Sequence, residues 1–352
     1  MKEKLIKQFE NSLQNNKPVF FDSANFKFII DCFFSSKQYK KALIAVDMAI
    51  KQYPFSVDFM LYKALLLYKK KEVKKAFDVI SKAESIDPLH PEIYITKGTI
   101  YHQMEESKKA IECFKKAIKN AGTMQNIMED GYYYLAVEYK NLKQYDNAIF
   151  CLKKAIGLNP KNNILICELS YCYEESERYD EAVEFFNNFL DNYPYDYHAW
   201  FSLSIAYNSL GLFEKVIDAC NYAIAIKEDF AMAYFNKANA LSNIDRWEEA
   251  ILFYNKTFEY EKPQSVAYCA IGECYERIEN YEQAMIYYNK AISIEPDFAD
   301  AWAGIGIVLS QQNRLTEAIH HFKKAIHIEN KNEEFWYLIA DTYQKLGRGE
   351  KS

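Results

Sequence analysis

Glycine and proline are scarce in this chain. Ten Gly and 8 Pro in 352 residues amount to about 3% and 2%, against typical usage of about 7% and 5%. A chain so poor in turn formers cannot make the many tight turns of a β-sandwich or β-barrel, which leaves helices joined by short connections. No apolar run approaches the roughly 18 residues of a membrane-spanning helix, so no membrane span is expected. The first ten residues alternate charged with apolar side chains and lack the apolar core of a secretion signal. The 8 Cys form no CxxC pair, a pattern that suits reduced thiols and a cytoplasmic location. GxxxxGK[ST], GxGxxG, GxSxG and HExxH are all absent. No cofactor, metal or enzymatic activity is therefore expected. A net charge of −6 predicts no strong attraction to nucleic acid. What is present is ample core material: 50% of residues are hydrophobic and 16% aromatic, which excludes wholesale disorder.

The chain repeats itself. Alanines recur at Ala42, Ala76, Ala110, Ala148, Ala182, Ala250, Ala284 and Ala318, with Val216 in the one empty slot. Seven residues after these stand Ala49, Ala83, Ala117, Ala155, Phe189, Ala223, Thr257, Ala291 and Ala325. Pro54, Pro88, Pro160, Pro194 and Pro296 fill a third slot. The period is about 34 residues, so the 352 residues are a stacked array rather than two globular domains.

Two copies carry a resemblance. Tyr268, Ile271, Gly272, Tyr275, Ala284, Tyr288, Ala291 and Pro296 form one pattern, and Trp302, Ile305, Gly306, Leu309, Ala318, Phe322 and Ala325 repeat it, with Asn330 in place of the proline. This pattern resembles the tetratricopeptide repeat (TPR) family. Nine copies are read at 23–56, 57–90, 91–124, 129–162, 163–196, 197–230, 231–264, 265–298 and 299–332. The resemblance implies an all-α solenoid, a right-handed superhelix of helix-turn-helix units with first helices lining a concave groove. Residues 1–22 carry an apolar stripe of Leu5, Ile6, Phe9 and Leu13 and are read as a capping helix. Residues 333–352 open a tenth unit, or form a solvating helix; the former implies a piece of a longer protein. Gln125–Met128 is a four-residue insertion that lengthens a helix or makes a hinge.

Within each copy, apolar residues follow a helical period in two blocks. Small residues in the first (Ala64, Gly98, Ala136, Ser170, Ser204, Ala238, Gly272, Gly306) face the recurrent alanines of the second. They let helices approach, and Phe114, Leu152, Phe186 and Phe322 fill the space beside them. Cys172 and Cys274 share one slot, as do Cys167 and Cys269, and read as small core residues rather than redox groups. His320, His321 and His327 read as a solvated group, not a metal site.

The resemblance also assigns six first-helix positions to the groove. Acidic residues there are Asp31, Asp58, Glu92, Asp130, Glu168, Glu174, Glu175, Glu273, Glu276, Asp300, Glu334 and Asp341; basic ones are Lys27, Lys69, Lys140, Arg277 and Lys345. The helix dipole accounts for Asp58, Glu92, Asp130, Asp300 and Glu334 in first turns, but not for Glu168, Glu174, Glu175, Glu273 and Glu276. Tyr133, Tyr171, Phe201 and Phe235 add aromatic surface. Asn236, Asn239 and Asn243 form one stripe, with Asn208 contributed by the preceding copy. Carboxamides can pair with a peptide backbone.

The expected function is a non-catalytic scaffold binding a basic or neutral polypeptide in this groove, with protein or peptide as partner. A regulatory or targeting module of a longer enzyme or assembly is the alternative, and self-association through terminal repeats is another. Some TPR domains grip chaperone C-terminal carboxylates with a Lys/Asn/Arg clamp. Here Lys27 fits one clamp slot, but Asp31, Tyr62, Glu92 and Thr96 stand where Asn, Asn, Lys and Arg are required. A carboxylate tail is therefore not the expected ligand.

Overall fold

The computed structural model describes residues 2–14 and 19–349. Residues 1, 15–18 and 350–352 lie outside it, so the segments 1–22 and 333–352 are described only over their remaining residues. Among the described residues all regular structure is α-helical. The chain divides into two compact units, residues 1–176 and 177–352.

Unit 1 contains α1 (Lys2–Gln14), α2 (Ser23–Ser35), α3 (Tyr39–Gln52), α4 (Val57–Lys69), α5 (Val73–Ile86), α6 (Pro91–Gln103), α7 (Ser107–Asn120), α8 (Gln125–Asn141), α9 (Tyr145–Leu158) and α10 (Asn163–Glu175). Unit 2 contains α11 (Tyr179–Asn192), α12 (Tyr197–Ser209), α13 (Phe213–Ile226), α14 (Ala231–Asn243), α15 (Trp247–Thr257), α16 (Ser265–Arg277), α17 (Tyr281–Ile294), α18 (Ala299–Gln311), α19 (Leu315–Ile328) and α20 (Glu333–Gly349). In unit 1, α2, α4, α6 and α8 pair with α3, α5, α7 and α9, in unit 2, α12, α14, α16 and α18 pair with α13, α15, α17 and α19, and each of these second helices packs on the first helix that follows it. The arrangement is an α-solenoid.

The turns between first and second helices share one backbone conformation. Lys37, Lys71, Glu105, Lys143, Asp245, Glu279 and Asn313 all have positive φ, between 56° and 65°, and Gly211 has φ 70°. The next residue closes the turn: Gln38 N–H donates to Phe33 O at 2.8 Å, Leu212 to Tyr207 O at 2.9 Å and Arg314 to Leu309 O at 2.8 Å. These bonds satisfy carbonyls that a helix end leaves open. Left-handed backbone costs a non-glycine residue roughly 1–2 kcal/mol, so the scarcity of glycine is met with strain that packing outweighs.

The small-residue slots are where helices touch. Ala42, Ala76, Ala110, Ala148, Ala250, Ala284 and Ala318 are wholly buried, as are Phe114 and, within a percent, Phe322. Burying each such ring contributes about 1.5–3 kcal/mol. Tyr288 shows why two glycines sit nearby: a Cβ on Gly272 would stand 2.8 Å from its ring, and one on Gly304 only 2.4 Å. The indole N–H groups of Trp200, Trp302 and Trp336 donate to Pro194, Pro296 and Asn330 carbonyls at 2.8–2.9 Å. The carbonyl is what that contact uses, so asparagine serves as well as proline. At the N-terminal end, α1 lays Phe9 against the Phe21 and Phe33 rings.

Two departures from regularity matter. The Gln125–Met128 insertion forms the first turn of α8, which runs 17 residues. In contrast, α15 runs only 11 residues where the other second helices of unit 2 run 14. Thr257 stands in its alanine slot, buried, with its hydroxyl turned back on Tyr254 O at 2.6 Å. The chain then leaves the helix through an irregular stretch up to Gln264.

Candidate functional site

In unit 1, the expected groove residues gather around Lys140 of α8. Its ammonium lies 2.5 Å from Glu168 Oε2 on α10 and 5.2 Å from the Tyr171 ring. Burial works against that charge, but the Glu168 bond and charge outweigh it and raise the Lys140 pKa. Glu168 thus spends its negative charge inside the fold. Tyr133 is half-buried against Tyr134, with ring centroids 5.5 Å apart. Tyr171, Glu174 and Glu175 are exposed, and Glu175 Oε2 accepts a bond from the Tyr145 hydroxyl at 3.2 Å.

Unit 2 holds two clefts on its first helices. The first, about 380 Å³, is apolar and is lined by Phe201 of α12, Met232, Phe235 and Asn236 of α14, Phe258 after α15, and Val266 of α16. Glu261 and Lys262 stand at its rim. Its origin is the shortened α15. Among neighbouring first helices of unit 2, α14 and α16 touch least, and the 258–264 segment borders the opening between them.

The second cleft, about 510 Å³, is acidic. Asp245, Glu273, Glu276, Asp300 and Glu334 line it, against one cation, Arg277. Asn243, Trp247, Phe335 and Leu338 complete its walls. The Arg277 guanidinium lies 5.8 Å from the Trp247 ring. None of the five carboxylates joins an ion pair with another described residue. Burial raises the Glu273 carboxyl above its ordinary value, and Asp300 and Glu276 push it further. Glu276 is raised by burial, and Asp300 by burial and then by Glu329 and Glu334. Glu273 is exposed yet hemmed by the cleft walls, which is how such a carboxylate loses hydration.

The structure therefore joins Phe201, Phe235 and Asn236 in one cleft and Asn243 and Glu273 in the other. Asn208 and Asn239 line neither. The asparagine stripe is partly used within the fold. Asn236 Nδ2 donates to Ser204 Oγ at 2.8 Å, Asn239 Oδ1 accepts from Tyr254 at 2.6 Å, and Asn243 Nδ2 donates to the Asn239 carbonyl at 2.8 Å. Sequence reasoning missed Met232, Phe258, Glu261, Lys262 and Val266, which the irregular 258–264 stretch brings into play. Thr257 in an alanine slot was the signal for them.

Elsewhere, burial pushes the thiols of Cys113, Cys151, Cys172, Cys220 and Cys274 up to about 11. Such thiols stay protonated and are poor nucleophiles at neutral pH. No helix among the described residues is long and apolar enough to cross a membrane.

Tetratricopeptide repeat models match residues 31–91, 91–123, 129–162, 173–229, 265–298, 287–320 and 306–347. The chain belongs to the tetratricopeptide repeat family. Two curated relatives, both named Hsp70-Hsp90 organising protein and both from Plasmodium falciparum, are 37% identical over 59 residues. That stretch is 17% of this TPR chain and 23% or 10% of theirs, so the chain spans less than a quarter of the relatives it matches. Among solved structures, MamA aligns at 24% identity and TM-score 0.43, covering 47% of this chain and 97% of its own. The Cut9 and Hcn1 hetero-tetramer of the APC/C aligns at 13% identity and TM-score 0.46, covering 98% of this chain and 84% of that one.

Proposed function

We propose that this TPR chain is a non-catalytic scaffold that holds a basic or neutral polypeptide segment on the first-helix face of unit 2. TPR repeats are protein-interaction modules, and the observation that carries the finer reading is the acidic cleft. Five carboxylates, none of them in an ion pair with another described residue, line that cleft with a single arginine. Opposite charge on a partner relieves their mutual repulsion and speeds encounter. The aromatic cleft beside it supplies apolar contact. Tyr133, Tyr171, Glu174 and Glu175 form a separate contact set in unit 1, while Glu168 serves that set by fixing Lys140. A carboxylate tail is not the ligand we infer. Lys27, the one residue in a clamp slot, is 2.6 Å from Asp58, and Thr96 is buried.

The test is affinity capture from source-cell lysate, read by mass spectrometry, with the full chain and a Glu273→Lys/Asp300→Lys variant whose helicity matches wild type. Basic partners retained by wild type and lost by the variant are expected. A variant that retains the same partners undiminished would sink the reading.

A further inference from the structure

The apolar and acidic clefts are both cut into α14 and α16. On α14, Phe235 and Asn236 line the apolar cleft, and Ser242 and Asn243 line the acidic one. On α16, Val266 lies in the first and Glu273 and Arg277 in the second. Val266 to Glu273 is two turns of one helical face, as is Asn236 to Asn243, which places the clefts about 10 Å apart along both axes. An extended chain advances roughly 3.3 Å per residue and crosses that interval in three to four residues. One bound segment therefore reaches both clefts, and the separation fixes the spacing of the side chains it can place in them.

Each cleft selects by its chemistry. Met232 and Val266 are 49% and 45% exposed at the apolar mouth, and the Phe201, Phe235 and Phe258 side chains form its walls. A bulky aliphatic or aromatic side chain loses water there against mostly apolar walls. The acidic cleft offers acceptors on Glu273, Glu276 and Asp300, with apolar Phe335 and Leu338 beside them. A planar guanidinium presents several donors to such a set and is weakly hydrated, so it suits a cleft with crowded, poorly hydrated carboxylates. An ammonium fits less fully.

We propose that unit 2 reads a short extended segment of a partner chain. A bulky apolar side chain of that segment occupies the Phe201–Phe235–Phe258 cleft. An arginine or lysine three to four residues away along the segment occupies the Glu273–Glu276–Asp300 cleft. The inference rests on the scaffold reading above and adds the partner's composition and register. Acidity alone would attract any basic chain; it is the apolar cleft at a fixed interval that narrows the choice.

The test starts from a phage-displayed library of random dodecapeptides selected on this 352-residue chain. Enriched peptides are then made with a fluorescein label and titrated by fluorescence anisotropy. Enriched sequences should share a bulky apolar residue with Arg or Lys three or four positions away. Glu273→Lys should weaken their binding at least ten-fold, and Val266→Gln about five-fold. Glu282→Lys, the same charge change on α17, should leave affinity within two-fold. Both Val266 and Glu273 are exposed, so neither substitution empties the core, and circular dichroism verifies each fold. Peptides that lack the spacing but are still weakened by Glu273→Lys and not by Glu282→Lys would overturn the register and leave the scaffold reading standing. No enrichment, or binding insensitive to both cleft substitutions, would overturn both.

Discussion

The Tyr288 hydroxyl donates to Glu276 Oε2 at 2.9 Å. One side chain thereby belongs to two layers. Its ring is buried between Gly272 and Gly304, in the seam where α16, α17 and α18 meet, while its hydroxyl reaches a carboxylate that lines the acidic cleft. Gln311 Nε2 approaches the other oxygen at 3.4 Å. Glu276 is therefore held from the core side, and its position is set by packing. Burial and the nearby carboxylates drive the Tyr288 pKa strongly upward, so the phenol stays a donor throughout the working pH range.

The same seam makes Gly304 intolerant of a methyl group. A Cβ there would stand 2.4 Å from the Tyr288 ring, and both helices are fixed by their other contacts. Overpacking of this kind costs about 1–3 kcal/mol. Gly304→Ala should lower the thermal midpoint of unit 2 by roughly 3–10 °C in a circular-dichroism melt. Gly157→Ala, where nothing lies within 4 Å, should not lower it. An unchanged midpoint for Gly304→Ala would mean the Tyr288 ring moves freely, which would also undo the claim that it positions Glu276.

The raised carboxyls of Glu273, Glu276 and Asp300 make a prediction whose sign can be worked out. Each binds its proton more tightly in the native state than in the unfolded chain, so the native state carries more protons in this range. Their contribution to stability therefore falls as pH rises from the ordinary carboxylate values through the raised ones, and stays unfavourable above them. Glu273→Gln removes part of that penalty. Thermal melts from pH 4 to 8 should show the variant gaining on wild type as pH rises, by about 1–2 °C at neutrality. A gain that shrinks with rising pH would contradict crowded carboxylates in this cleft.

How far the sequence shows these features depends on whether a slot or a meeting of two slots decides them. Ala284, Ala318 and the Tyr288–Gly272 pairing recur with the period, and a repeated slot tells its own story. The Trp302 contact to the Pro296 carbonyl recurs at Trp200 and Trp336, so it too is visible once the period is known. Glu168 is different. Its neutralisation requires Lys140 from another copy to swing onto it, and a count of charges cannot show which pairs close. Asn239 likewise reads as a free amide until Tyr254 is seen to use its oxygen. The apolar cleft depends on α15 ending early at Thr257, a single unusual residue whose effect appears in the chain after it. Glu276 and Asp300 are legible as acidic groove positions, but their convergence with Asp245 and Glu334 is not.

The strained turns offer a stabilising substitution. Glu279 has φ 59° between α16 and α17, a region that suits glycine. Removing the Cβ clash in Glu279→Gly should outweigh the added freedom of the unfolded chain, for a net gain of about 0.5 kcal/mol, seen as 1–2 °C in the melt. The reverse change is the sharper check. Gly211, at φ 70° in the matching turn between α12 and α13, has open space around it. Gly211→Ala should cost about 1 kcal/mol from backbone strain alone, since the added methyl group displaces no neighbour. If both substitutions leave stability unmoved, the turns are not strained.

In unit 1, Glu138 is 1% exposed, with Oε1 2.5 Å from His102 Nδ1 and Oε2 without a hydrogen-bond partner among the described residues. A buried acidic side chain whose polar contact rests on one imidazole makes the pair asymmetric. His102→Ala would strip that partner while Glu138 stays buried, which is the costly way to break such a pair. The histidine is about one-third exposed, so water replaces part of what is removed, and a cost of roughly 2–3 kcal/mol is expected. Glu138→Met instead removes the group that suffers from burial and leaves a histidine that can reach solvent; it should cost under about 1 kcal/mol or stabilise. Thermal melts of the two variants and of the double variant measure this directly. The double variant should recover most of the His102→Ala loss. Equal losses for both single variants, with no recovery in the double, would show that Glu138 is held by contacts other than His102.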